Sequence, residues 1–463
     1  MLFIIIIIYV LAITSISLDK IIFKGKWEWV IFFMIMYLPI YITVLSVVYQ
    51  ATGSAFMVSI FQYLKEMMLF AALGSFLVYQ RNIFAYPIKL HLVDKLFLAF
   101  YALALIFLIL PIGPATFIDK LKYFKNISIP GIMYFIGRNT RLSDREFRQF
   151  FITVMIIFFL AVCLNIFEKS IGVHFQNIAG YALYNKAINE VDPVGNYGLT
   201  WTFETQTTEM RLASFFSDPL ELASSCLMGF SVGLIGYLTS KRNQSWVFIL
   251  TMLCTVGSVI FAASRASFAS FFIMLCFIAI IFRLYGLLKM GIFLFLFFVI
   301  YVVWIANDEF YYFVIDTLTF ENASSFGHVV AWLEAINEMS VAPLGSGLAT
   351  SGNASAVSDD LRIGGENQFL IFGVQMGILG MLLYISILYV GIKTAIHVFR
   401  TVDDINYARI GFIAATTKVG LLLPLFTANA ELYAFVSWTS WWMIGLSIRS
   451  LNSTFKPTLV PEG

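Results

Sequence analysis

The chain is a succession of apolar runs, each about as long as a bilayer is thick. They fall at residues 2–18, 29–49, 56–79, 96–111, 150–167, 220–238, 246–262, 268–282, 287–305, 369–398, 410–426 and 433–448. About 20 consecutive apolar residues cross the hydrocarbon region as an α-helix, because no water there can satisfy a bare peptide group. The pattern predicts an all-α, polytopic membrane helix bundle of 12 to 13 helices. Composition agrees: 12% of residues are charged, against about 25% in soluble chains. The first run lacks a basic leader and a small-residue cleavage site, so it reads as a first span and not as a removed signal. A thirteenth candidate, 117–136, is weaker, carrying Asp119, Lys120, Lys122 and Lys125 and interrupted by Pro130-Gly131.

Basic residues choose between the two counts. They cluster at Lys20/Lys24/Lys26, Arg81/Lys89, Arg138/Arg141/Arg145/Arg148, Lys241/Arg242, Arg283/Lys289, Arg400 and Arg449/Lys456. With thirteen spans all of these lie on one side. The positive-inside asymmetry then predicts an external N-terminus and a cytoplasmic C-terminus. A tilted or re-entrant helix at 117–136 is the alternative. The same count puts both long polar stretches outside, where they carry acids such as Glu190, Asp192, Glu204, Glu209, Asp308, Glu309, Asp316, Asp359 and Asp360. The organisation expected is N-terminal spans over 1–166, a first extracytoplasmic loop over 167–218 and central spans over 219–305. A second loop, the catalytic one, covers 306–366, and C-terminal spans cover 367–463.

Several functions are disfavoured. No basic patch with interleaved aromatics suggests nucleic acid. Cys163, Cys226, Cys254 and Cys276 sit in apolar runs without ligand spacing, so they read as buried thiols. No P-loop, zinc-protease, serine-elbow or metal-type aspartate motif occurs, and neither cofactor nor metal is expected. No internal repeat is visible, which argues mildly against a carrier.

The polar residues that remain are candidates for chemistry. Arg211 precedes Ser217-Asp218-Pro219, a helix start whose positive dipole end suits an anion. The plain alternative is a capped helix beside a solvated arginine. Arg265 lies between two apolar runs, where an arginine needs a partner or a wet cavity. In the second loop His328, Trp332, Arg362, Glu366 and Asn367 stand around an amphipathic stretch and a glycine-rich turn. Glu366 or His328 is a candidate general base. Glu366 and Asn367 read equally well as helix caps. Lys418 is a candidate phosphate ligand or half of an ion pair, with Glu431 nearby, and Lys65 and Glu66 are adjacent in an early span.

Five segments together resemble the O-antigen polymerase and O-antigen ligase superfamily of bacterial membrane glycosyltransferases. They are Arg-Leu-Ala-Ser-Phe-Phe-Ser-Asp-Pro (211–219), Ala-Ser-Arg-Ala-Ser (263–267), Gly-His-x-x-x-Trp (327–332), Pro-Leu-Gly-Ser-Gly-Leu (343–348) and Glu-Asn-Gln-Phe-Leu (366–370), ahead of a Gly-Ile-Leu-Gly span at 377–380. Ligases of the family carry arginine where His328 stands and a His-Asn pair where this chain has Glu366-Asn367, so the resemblance leans toward a polymerase. It implies a GT-C-like, inverting, metal-independent enzyme at the periplasmic face of the cytoplasmic (inner) membrane. Its substrate would be an undecaprenyl-pyrophosphate-linked oligosaccharide in membrane lipid, with a chain-length regulator as a candidate partner. Arg211, Arg265 and Lys418 would bind pyrophosphate. Arg362, Asn367 and Trp332 would bind sugar. Glu366 and His328 would be catalytic. The rival readings are a ligase that moves finished glycan onto another acceptor and a lipid-linked sugar flippase.

Overall fold

A computed structural model describes residues 2–80, 89–205, 208–241, 245–305, 311, 315, 319, 323–357 and 362–451. The expectations placed on Arg81, Arg242, Asp308, Glu309, Asp316, Asp359, Asp360 and Lys456 lie outside these residues. The described residues form helices and connections, with two isolated bridges. The early helices are α1 (Leu2–Leu18), α2 (Val30–Tyr37), α3 (Tyr41–Thr52), α4 (Ala55–Gln80), α5 (Leu92–Ile109), α6 (Phe117–Asn139) and α7 (Asp144–Ile171). Two short helices follow, α8 (Phe175–Ile178) and α9 (Tyr181–Ile188). Then come α10 (Pro219–Thr239), α11 (Ser245–Ala262), α12 (Arg265–Ile281), α13 (Tyr285–Trp304) and α14 (Ala323–Val341). The last are α15 (Gln368–Thr401), α16 (Ile405–Gly420), α17 (Leu422–Thr427) and α18 (Ala434–Ser450).

Among the described residues eight helices are long and apolar enough to cross a membrane, or nine when α2 and α3 count as one span. The chain is therefore an all-α polytopic membrane protein. The run at 29–49 is not one straight helix. It bends by 66° between α2 and α3, at Pro39, which has no N–H to give the helix ladder. The weak run at 117–136 is a helix of 23 residues, α6, more polar than the eight. Its Lys120 Nζ donates to the Leu110 and Ile112 carbonyls at 3.1 and 2.5 Å, so this charge is satisfied by the preceding turn. The charges in the middle of α4 are likewise paired: Glu66 accepts Lys125 of α6 at 3.2 Å and lies 3.6 Å from Lys65, whose ammonium sits 3.7 Å from the Tyr41 ring centre.

The centre of the bundle is α18, with fourteen of its 17 residues buried. A helix apolar or small on every side belongs inside. It meets α6 backbone to backbone: a Cβ on Gly137 would strike the Trp442 carbonyl, and one on Gly445 the Tyr134 carbonyl. By contrast α1 and α13 turn large side chains outward, including Ile4, Ile8, Phe293 and Phe295, as lipid-facing helices do. Of the four cysteines only Cys226 and Cys254 are buried. Cys163 and Cys276 are exposed, correcting the expectation of four buried thiols, because a membrane helix is apolar on its lipid face as well as its packed face.

One break shapes the site. Helix α15 loses helical geometry at Met376 and Gly377. The freed carbonyls of Val374 and Gln375 accept from Ser346 and Gly347 N–H at 2.7 and 3.1 Å, and Ile378 N–H donates to the Pro343 carbonyl at 3.1 Å. The Gln375 side chain completes the seam. Its Oε1 accepts from Ala349 N–H at 2.9 Å, and its Nε2 donates to the Tyr123 hydroxyl at 2.8 Å and the Ser351 carbonyl at 2.9 Å. The glycine-rich turn thus plugs the broken helix.

Candidate functional site

Arg211 stands on a strap, residues 211–218, that leads into α10. Four anchors hold it. Leu212 N–H donates to the Phe261 carbonyl at 3.0 Å. Glu168, wholly buried at the end of α7, accepts Ser214 N–H at 3.1 Å and Phe175 N–H at 2.8 Å. Gln176 Nε2 donates to the Ser214 and Phe216 carbonyls at 2.7 and 2.9 Å. Thr43 Oγ1 donates to the Phe215 carbonyl at 3.0 Å. Ser214 is held at φ 55°, a left-handed conformation a residue with a Cβ keeps only when its surroundings impose it. Glu168→Ala removes both carboxylate bonds and leaves two N–H groups without that acceptor; at about 1–3 kcal/mol for each orphaned donor, a loss of roughly 3 kcal/mol is expected. Thermal unfolding in detergent reads it, and a melting point unchanged in the variant would contradict the anchoring role.

Arg211 Nε donates to the Ala262 carbonyl at 3.1 Å. Ala263 follows at φ 47°, and Arg265, exposed, opens α12 behind the Ser264 N-cap. The two arginines therefore share one end of the bundle, each beside a non-glycine residue in left-handed geometry. Burial draws the Arg211 guanidinium below its ordinary range; Asp218 and Tyr433 oppose that, and Arg265 adds to it. A cation at a helix N-terminus is electrostatically unfavourable, so Arg265 on the first turn of α12 makes a place that favours an anion.

The start of α10 is less open than its sequence suggests. Asp218 Oδ1 accepts Leu220 and Glu221 N–H at 2.8 and 2.9 Å, and Ser217 donates to the Glu221 carboxylate. The cap supplies its own anion, so these N–H groups are not available to an outside phosphate. Anion binding here falls to the guanidinium groups. Burial raises the Asp218 carboxyl above its ordinary value, while the bonds from Glu221 and Leu220 N–H pull the other way.

The second cluster is on α14 and the start of α15. His328 Nδ1 and Glu366 Oε2 are 2.8 Å apart, and the Trp332 ring lies 6.4 Å from the His328 ring, tilted by 31°. The two candidate bases are one dyad. Asn367 is the N-cap of α15, its Oδ1 accepting Phe369 and Leu370 N–H at 3.0 and 3.2 Å, so its oxygen is committed to the helix. Arg362 is exposed. Lys418 goes elsewhere. It is buried, 3.5 Å from Glu431 and 3.9 Å from the Trp441 ring centre, the ion-pair alternative and not a partner of the two arginines.

Tyr433, which the sequence did not single out, joins the clusters: it lies within electrostatic reach of Asp218, Glu221, Glu366 and Arg211. Glu168 was missed too, although an acid at the end of an apolar run was a visible signal. Beneath the strap, His174 is fully buried and edge-on to Tyr197 and Phe203 at 5.4 and 5.5 Å, and burial pushes its imidazole down to about 4. A group held below its ordinary 6.5 disfavours the proton in the packed state. Its packing is therefore intact above pH 6.5 and loosens as pH falls from there toward 4. Proteolysis of the segment between α7 and α10 is expected to rise across that window, and His174→Phe should flatten the rise.

Comparison with known protein families finds no family whose pattern matches the chain. Comparison with curated proteins finds no match either.

Proposed function

We propose that this membrane protein is a surface-polysaccharide polymerase. It would join oligosaccharide repeat units carried on undecaprenyl pyrophosphate, at the outer face of the bacterial cytoplasmic membrane. The observation that carries the reading is the tie between Arg211 and Ala262, which holds two guanidinium groups at one end of the bundle. Guanidinium forks match phosphate oxygens and stabilise charge that develops on a departing diphosphate. In the reaction, an acceptor sugar hydroxyl oxygen bonds to the anomeric carbon of the donor repeat. The bond from that carbon to the phosphate oxygen breaks, and the electron pair leaves with the polyprenyl diphosphate. The hydroxyl proton passes to the His328–Glu366 dyad, in which the carboxylate orients the imidazole. The ordered motifs from Arg211 to Leu370 support the same reading.

The test uses purified protein in detergent with the single-repeat lipid that accumulates in cells lacking it. A ladder of longer chains on the lipid supports polymerisation. Transfer to a lipid or protein acceptor without a ladder points to a ligase, and no new glycosidic bond rejects both. Within an active preparation, His328→Ala and Glu366→Gln are each expected to slow growth by about 10²-fold or more, the range of a lost general base. Unchanged rates would remove the dyad from the chemistry.

A further inference from the structure

Helix α14 packs against α15 through one side. Ala335 and Met339 are buried beside Val374, and His328 and Trp332 fall on the same side at helical spacing. The opposite arc is apolar and exposed. Phe326, Val330, Leu333 and Ile336 recur along it, Leu333 at 61% exposure. Val341 and Leu344, the latter 85% exposed, carry the apolar surface past the end of the helix. Asn337 and Ser340 interrupt it, and the Ser340 hydroxyl donates to the Asn337 carbonyl at 2.6 Å.

The level of this helix follows from α15. Beyond its break α15 runs over residues 378–401, about 36 Å at 1.5 Å per residue, and the hydrocarbon core of a bilayer is about 30 Å thick. That piece crosses the membrane by itself, so the break stands at a membrane boundary. Pro343 and Ser346 are hydrogen-bonded to the break, which fixes the end of α14 at the same boundary. The arc is also continuous with lipid-facing surface. Leu344 follows Pro343, whose carbonyl accepts Ile378 N–H at 3.1 Å, and Ile378, Leu379 and Leu382 are exposed on the flank of α15.

The chemistry of the arc chooses its occupant. An apolar surface of this extent is unfavourable in water and favourable among acyl chains. Asn337, and Glu334 at the edge of the arc, need water, which the headgroup layer supplies and the hydrocarbon centre does not. Helix α14 has no lysine or arginine, so attraction to anionic headgroups is not what would hold it.

We propose that α14 is an interfacial helix whose arc of Phe326, Val330, Leu333 and Ile336 is seated in the acyl-chain boundary of one lipid leaflet. The seating does not depend on the function proposed above. Given that function, it sets the His328–Glu366 dyad at headgroup depth, the level of a lipid-linked diphosphate.

Nitroxide labels test it. They are placed by Val330→Cys, Leu333→Cys, Ile336→Cys and Glu334→Cys, one at a time, in a chain whose Cys163, Cys226, Cys254 and Cys276 are changed to serine. In phosphatidylcholine nanodiscs, oxygen should collide with the first three labels more often than a water-soluble nickel chelate does, and the order should reverse at Glu334. Anionic lipid and high salt should leave the pattern unchanged. Nickel ahead of oxygen at Val330, Leu333 and Ile336 would put the arc in water and overturn the proposal. Little collision with either reagent would reveal a protein cover, from a second copy or another segment of this chain, and overturn it equally. Where the cysteine-free chain fails to fold, p-benzoylphenylalanine in place of Leu333 in the native chain carries the test. Irradiation should then yield lipid adducts by mass spectrometry, and crosslinks to protein alone would sink the interfacial seat.

Discussion

Arg211→Ala is expected to abolish polymer while leaving an inserted, folded protein. Among the described residues the side chain makes one hydrogen bond, Nε to the Ala262 carbonyl, and the strap keeps its other anchors at Glu168, Gln176, Thr43 and Phe261. Folding should therefore survive. The transition state should not, because loss of one preorganised donor aimed at developing charge costs about 10²–10³ in rate. Arg265→Ala should fall in the same range, and the turn that carries it keeps its Ser264 cap. Arg211→Lys is expected to recover little: an ammonium keeps the charge but loses the fork. Chain-growth rates at matched amounts of monodisperse protein check all three. Polymer of normal length from both alanine variants would end the diphosphate clamp.

Gly377→Ala is the change expected to damage the fold most. Gly377 sits at φ 73° and ψ 177°, a region that only glycine occupies readily. A Cβ there would lie 2.5 Å from the Pro343 carbonyl oxygen and 2.7 Å from the Leu344 carbonyl carbon. Backbone atoms cannot swing aside as a side chain can. Adding the conformational cost to the overpacking cost gives about 2–5 kcal/mol, a large part of a typical folding free energy. Gly345→Ala should behave alike, its Cβ falling 2.6 Å from the Gly377 nitrogen. Yield and melting temperature in detergent are the measurements, and a Gly377→Ala protein that melts with the wild type would show that the helix break can relax.

The membrane bundle was readable because apolar run length is a direct physical requirement of the bilayer, and α4, α5, α7, α10, α11 and α15 fall where the runs are. The Asp218-Pro219 helix start was readable from cap chemistry alone. Other features were not. The run at 369–398 gives no sign of its break, because glycine is common in membrane helices and Gly377 looks like Gly373 or Gly380 in sequence. The bend at Pro39 hid inside a run of the right length. Pairing of His328 with Glu366 joins positions 38 residues apart, a distance no local pattern encodes. At Asp218 the sequence revealed the cap but not its consequence, since a carboxylate that satisfies the first N–H groups also occupies the place an anion would take.

The seating of the 342–348 turn in the α15 break sets different tolerances on its two sides. One extra residue between Ala342 and Leu348 would shift the register by which Ser346 and Gly347 meet Val374 and Gln375, and the helix would be left with bare carbonyls. On the other side α14 meets α15 through side chains, Ala335 and Met339 against Val374, where a changed side chain alters packing without moving the backbone register.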